Sequence, residues 1–241
     1  MKLLIIVGLI FCGFGLAETP PGCHSNLAAN VPDVNISADN RLAAILIFAS
    51  RSGLCLGIEN PGLDLLRSPA ALEASDISVF NILRRLIASE AYQITHKDET
   101  ILIQRTNPPP QPTELDTVVP EFKTGKISLA WANTGLYWRL VRLSDPSIQG
   151  IAGHLSDRVP KNLVGPFDER KHTTRELLTM LVGQSAGAAW VSGPCSIPTR
   201  SGQPPCWTLL DYGEDPAVFQ SLVRDLADGL REQLLAKDPA K

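Results

Sequence analysis

A helical stripe followed by two strand-like runs occurs twice in this chain, 95 residues apart, and this duplication constrains the fold more than any other feature. The first copy is VFNILRRLIASEAYQITHKDETILIQR, residues 79–105. The second is TRELLTMLVGQSAGAAWVSG, residues 174–193, which leads through a cysteine-bracketed insert to CWTLLDYG. At this offset Val79, Ile82, Leu83, Leu86 and Ile87 align with Thr174, Leu177, Leu178, Leu181 and Val182. Positions i, i+3, i+4 and i+7 share one helical face, so each copy predicts an amphipathic helix that must bury that face. The runs that follow alternate as half-buried strands do.

Upstream of the first copy, Leu42, Ile45, Leu46 and Ala49 repeat the helical stripe, with Ser37 or Asp39 placed to cap it and Gly53 to stop it. LCLGIE then reads as a strand, NPG as a turn and residues 71–74 as a second strand. Tyr92 and Ile94, then Ile101 and Ile103, flank the polar turn HKDE. The predicted order is helix, strand, strand, helix, strand, strand over residues 37–105. TNPPPQPTELDTVVP, residues 106–120, holds five prolines and predicts an extended linker. Residues 121–213 form a second module. There Leu129, Ala132, Leu136, Leu140 and Leu143 are spaced for a helix face, although Gly135 costs that helix about 1 kcal/mol relative to Ala. Residues 148–172 read as a short strand and a long loop. Thr173 and Glu176 form a T-x-x-E capping box at the start of a helix over residues 174–184. A last amphipathic helix over residues 216–236 carries Val218, Phe219, Leu222, Val223, Leu226 and Leu230, and is expected to pack on its own module. The fold class is α+β: two small related modules and a C-terminal helix.

RLAAILIFASRSGLCLGIE and LEASDISVFNILRRLIASEAYQITHKDETILIQ resemble the short N-terminal domain of secretins and TonB-dependent receptors. The resemblance covers roughly 65 residues, and TTRELLTMLVGQSAGAAWVSG with CWTLLDY resembles the second half of the same unit. It implies a periplasmic docking or signalling module that carries no catalytic residues.

Residues 1–17, MKLLIIVGLIFCGFGLA, have the layout of a cleaved secretory signal: Lys2, an apolar run, then small residues before Glu18. The run is too short for a membrane anchor. The expected mature chain, cut near Ala17, is secreted or periplasmic and does not span a membrane. It has 21 basic and 25 acidic side chains, a net charge of −4, and no basic stripe, so nucleic acid is excluded as a partner class. Cys23, Cys55, Cys195 and Cys206 remain, an even number that favours disulfides in an exported chain. Cys195 and Cys206 bracket SIPTRSGQPP, where a bridge would contribute roughly 3 kcal/mol. Cys23 with Cys55 would tie the N-terminal arm to the first module. Zinc is the competing reading, but CxxC and His-x-x-x-His spacings are absent.

Gly183-Gln184-Ser185-Ala186-Gly187 matches G-x-S-x-G, the nucleophile elbow of a serine hydrolase. That fold needs a strand before the serine, a helix after it, and then an acid and a histidine in that order. Here a helical stripe precedes Ser185 and a strand-like run follows, while His24, His96, His154 and His172 all lie upstream. The motif therefore reads as a helix C-terminus turning into a strand. His154 and His172 with Asp157 and Asp168 are a weaker acid–base or metal candidate in an irregular segment, and Asn35-Ile36-Ser37 is a glycosylation sequon. Trp131, Tyr137, Trp138, Trp190 and Trp207 concentrate in the second module and read as core, with an aromatic binding patch as the alternative. The sequence thus predicts a non-enzymatic binding or assembly protein of the cell envelope, without cofactor or metal. Its partner is expected to be an envelope protein, through added edge strands, and self-association through the last helix is a further expectation. A secreted serine hydrolase built on Ser185 is the alternative.

Overall fold

A computed structural model describes residues 23, 25–107, 114–147, 162–185, 187–193, 206–213 and 216–237. The leader with its cleavage point, His24, His154, Asp157, Ala186 and Cys195 lie outside the described residues. The chain begins with β1 (Asn30–Ala38), α1 (Arg41–Ser52), β2 (Leu56–Glu59), α2 (Leu63–Arg67), β3 (Ala70–Ser78), α3 (Val79–Ile87), β4 (Tyr92–Lys97) and β5 (Thr100–Arg105). After a 3-10 turn at Glu114–Asp116 come β6 (Val118–Thr124), β7 (Ile127–Ser128), α4 (Leu129–Ser144), β8 (Leu163–Val164) and β9 (Phe167–Thr173). The chain continues through α5 (Thr174–Gly183), β10 (Ala188–Ser192), β11 (Trp207–Asp211) and α6 (Pro216–Lys237). The fold is α+β, and helix–strand–strand–helix–strand–strand runs through both halves. The sequence reading missed the strand that precedes each half, β1 and β6. The end of the expected linker is already strand, because Val118–Thr124 pairs with β9 and buries Val119 and Phe122.

Local chemistry sets the helix ends. Asn40, rather than Ser37 or Asp39, caps α1, its side chain accepting the Ala43 N–H at 2.8 Å. Gly53 closes α1 in the left-handed region at φ 63°. Ser78, Ser128 and Thr173 cap α3, α4 and α5 through their hydroxyls, and the Thr173–Glu176 capping box is complete in both directions.

Strand pairing and helix capping recur in the two halves at fixed numbering offsets. β1 pairs antiparallel with β3 and β6 with β9, starting at Asn30 opposite Ser78 and at Val118 opposite Thr173. Asn30 and Val118, like the caps Asn40 and Ser128, are 88 residues apart. Ser78 and Thr173 keep the offset of 95. The extra length in the second half therefore lies between α4 and β9.

A five-stranded sheet, in the order β11-β10-β2-β5-β4, joins the halves. β2 is parallel to β5 on one side and to β10 on the other, while β4–β5 and β10–β11 are antiparallel hairpins. Alternate residues face opposite layers. Leu56, Ile58, Ile101, Ile103, Ala189, Val191 and Leu210 pack with α1, α3 and α6, whereas Cys55, Leu102, Ala188, Trp190 and Trp207 pack with α4 and α5. Each repeat thus supplies one outer helical layer of a shared sheet. At the seam Gly57 lies under the Trp190 indole, where a Cβ would come within 2.5 Å of Cε2, so no larger residue fits.

α6 corrects the expectation that the last helix packs on its own module. Phe219, Val223, Ala227 and Leu230 enter the core of the first half, and the helix lies along α1 and α2. Arg175 of α5 also crosses the seam, pairing with the buried Glu59 of β2 and with Asp116, each at 2.6 Å. Cys23 is bonded to Cys55 with Cα atoms 5.4 Å apart, and both sulfurs lie against the Val182 carbonyl at the end of α5. Cys206 is disulfide-bonded as well. Among the described residues no helix is long and apolar enough to cross a membrane.

Candidate functional site

Ser185 follows α5 and is 1 % exposed, with Oγ donating to the Val182 carbonyl at 2.8 Å. Gln184 is the C-cap of the helix, and Gly187 takes φ 112° to lead the chain into β10. The hydroxyl thus joins the Ser185 N–H on the Val182 carbonyl of the last turn. His172 reaches Glu169 at 3.2 Å and Glu176 at 3.4 Å, while Asp168 pairs with Lys123 at 3.3 Å. The two weaker candidates that are described, His172 and Asp168, thus belong to separate ion pairs on the β6–β9 ribbon. Among the described residues no group of three His, Cys, Asp or Glu side chains is arranged to hold a metal.

The aromatics divide between core and surface. Trp190 and Trp207 are buried, and Trp207 donates its indole N–H to Asn133 at 2.8 Å. Trp131 is 53 % exposed, and Trp138 one face further along α4 is half-exposed. Leu143, expected on the apolar face, is 44 % exposed, because α4 buries Leu129, Ala132, Leu136, Leu140 and Val141 instead. Trp131, Gly135, Trp138 and Arg142 fall at i, i+4, i+7 and i+11, one helical stripe turned away from the core. Beside it a groove of about 390 Å³ opens between Trp138, Arg142 and Leu143 of α4 and Val119, Pro120 and Glu121 of β6. Arg142 stands 6.0 Å from the Trp138 ring centroid and, among the described residues, has no carboxylate partner. An apolar trough with a free guanidinium at its rim is suited to an apolar anchor carrying a neighbouring negative charge. The sequence reading missed Arg142; its helical spacing from the two tryptophans was the available signal.

The floor of this groove is held by Arg139. Its guanidinium donates to the carbonyls of Glu121 at 3.1 Å, Lys123 at 2.9 Å and Gly135 at 3.1 Å, and stacks 5.0 Å from the Phe122 ring centroid. The first half repeats this contact: Arg51 of α1 donates to the Asn35 carbonyl of β1 at 3.0 Å. Both donor and acceptor are offset by 88 residues, matching Arg139 and Lys123. Each arginine occupies carbonyls that an added strand would need, so β1 and β6 are poor sites for the strand addition expected from sequence.

Two carboxylates near the site are electrostatically unusual. Glu114 in the linker turn is 1 % exposed. One oxygen accepts the Cys206 N–H at 3.1 Å and the other has no hydrogen-bond partner. Burial pushes its carboxyl up to about 7, against the opposing pull of the Cys206 N–H. Tyr137 is pushed up by burial and by the Glu114 charge. Glu176, by contrast, is held down at about 2, first by the Thr173 N–H and then by Lys97 at 3.0 Å. No protein-family model, curated protein or solved structure matches the chain.

Proposed function

We propose that this chain is an exported, non-enzymatic binding or assembly protein of the cell envelope, and that it recognises a protein partner through the outer surface of its second half. The observation that carries this reading is the α4–β6 groove. It sets Trp138 and Leu143 beside Arg142, which has no carboxylate partner among the described residues, and Trp131 stands exposed on the same helical stripe as Trp138. Tryptophan and arginine dominate the energetics of protein interfaces, because each brings a large rigid area and a directional or charged handle. The Cys23–Cys55 bond supports export, since such bonds persist in oxidising compartments.

The alternative, a serine hydrolase, has less support: Ser185 is buried and spends its hydrogen on Val182. Affinity purification of the tagged chain from the envelope of the producing cells tests the reading. A partner should be recovered with the wild-type chain and lost from a Trp131→Ala, Trp138→Ala double variant. Equal recovery from both would overturn it. Short-chain ester hydrolysis by the purified chain that disappears in Ser185→Ala would overturn it in favour of the hydrolase.

A further inference from the structure

The internal repeat supplies a template for what the open face of α4 receives. In the first half α6 lies along α1, and Ala43, Ile47 and Arg51 of α1 face Gln220, Val223 and Arg224 of α6 across a cleft of about 190 Å³. At the offset of 88 these three α1 positions are Trp131, Gly135 and Arg139 of α4. The same helix face thus has a helix beside it in one half and, among the described residues, none in the other. α1 buries Ala43, Ala44 and Phe48 besides Leu42, Ile45, Leu46 and Ala49, whereas α4 buries a single stripe.

We propose that the outer face of α4 seats an amphipathic helix of a partner protein, laid along it as α6 lies along α1, with a partner carboxylate against Arg142. The proposal rests on the protein-binding reading above and deepens it. Gly135 is the second observation in its favour. A mid-helix glycine costs stability, and here, among the described residues, a Cβ would meet only the Arg139 guanidinium, at 3.4 Å. Between two tryptophans, a residue without a side chain leaves a notch into which a partner's side chain can descend, as ridges enter grooves in helix pairs. Charge supplies the third. Arg170 lies 4.0 Å from Glu121, and Arg139 is committed to main-chain carbonyls, so Arg142 is the charge at the groove that remains open to a ligand. An extended segment is disfavoured, because the nearby β6 carbonyls already accept from Arg139.

The test uses the full chain in the cells that produce it. Trp131, Trp138 and Leu143 are replaced one at a time by a photocrosslinking phenylalanine analogue, with Phe80 of α3 as the control position, and far-UV circular dichroism confirms that each variant folds. Adducts are mapped by mass spectrometry. Crosslinks from the three α4 positions should fall on one partner segment at steps of three, four or seven residues, with an acidic residue within that segment. Arg142→Glu should lower their yield roughly tenfold while Arg142→Lys retains most of it. Crosslinks at steps of two, crosslinks to a second copy of this chain, or a yield indifferent to Arg142→Glu would overturn the helix proposal and leave the protein-binding reading standing. Partner recovery without any adduct from the three positions would place the contact elsewhere and overturn the proposal. Absence of any partner in both experiments would overturn the two together.

Discussion

α1 and α4 begin at equivalent points of the repeat, each after a side-chain cap and each carrying an arginine that reaches back to the preceding strand. They differ in what lies outside them. α1 lies between the sheet and α6, and its positions beside α6 are Ala43, Ile47 and Arg51. α4 has the sheet on one side only, and its outward positions are Trp131, Gly135, Trp138 and Arg142. The comparison teaches that one scaffold serves two purposes. In the first half the outer helix face lies beside α6; in the second it has no helix beside it among the described residues and carries exposed aromatic and charged side chains.

Paired substitutions break this comparison most directly. Phe219→Ala removes an aromatic side chain from the interface that covers α1 and should destabilise the protein by about 3–5 kcal/mol. Trp131→Ala, on the uncovered face, should change stability by less than about 0.5 kcal/mol. Denaturant midpoints at equal m-value measure both. Similar losses for the two variants would show that the α4 face is structural.

The second difference is electrostatic: buried Glu59 of the first half pairs with Arg175, whereas Glu114, buried beside Cys206 and Tyr137, has no cationic partner among the described residues. Its carboxyl lies at about 7 in the fold against 4.5 ordinarily, so the folded state binds the proton more tightly. Stability from this group is complete below about pH 4.5, falls as pH rises, and is lost above about 7, a span of about 3 kcal/mol at most. Glu114→Gln should flatten this dependence and raise the denaturation midpoint at pH 8. Unfolding curves at pH 5 and pH 8 decide the matter, and an unchanged pH slope in the variant would reject it.

The smallest effect separates the two arginine clips. Arg139→Ala loses three main-chain hydrogen bonds and a ring contact, while Arg51→Ala loses one hydrogen bond. The expected costs are about 1–2 kcal/mol and about 0.5–1 kcal/mol, discounted for the solvent exposure of both sites. The same unfolding curves measure the pair. Equal losses would mean that Arg139 contributes through a single contact.

The local layer of this architecture was legible from the residue pattern. α5 lies within one residue of its expected limits, α3 and α4 form where their apolar stripes lie, and the Thr173–Glu176 box is formed, because helix periodicity and capping act over three to seven residues. The offset of 95 also placed Ser185 at a helix end. β1 and β6 escaped notice because each buries only two residues, in the patterns Val34/Ile36 and Val119/Phe122, too little alternation to stand out between prolines and charges. Trp131 and Trp138 were read as core because composition does not state which way a helix face points.

By itself, the sequence determined where the long helices lie, that the class is α+β, and that Cys23 and Cys55 are suited to a disulfide. Only the tertiary structure decided that β2 pairs with β10 across more than 130 residues of chain, that α6 returns to the first half, and that Glu114 is buried. The reason is physical. Capping and periodicity are settled between near neighbours, whereas strand order and helix docking depend on which apolar faces remain uncovered once those elements have formed. In this chain α6 lies beside the outer face of α1, and among the described residues the outer face of α4 has no helix beside it.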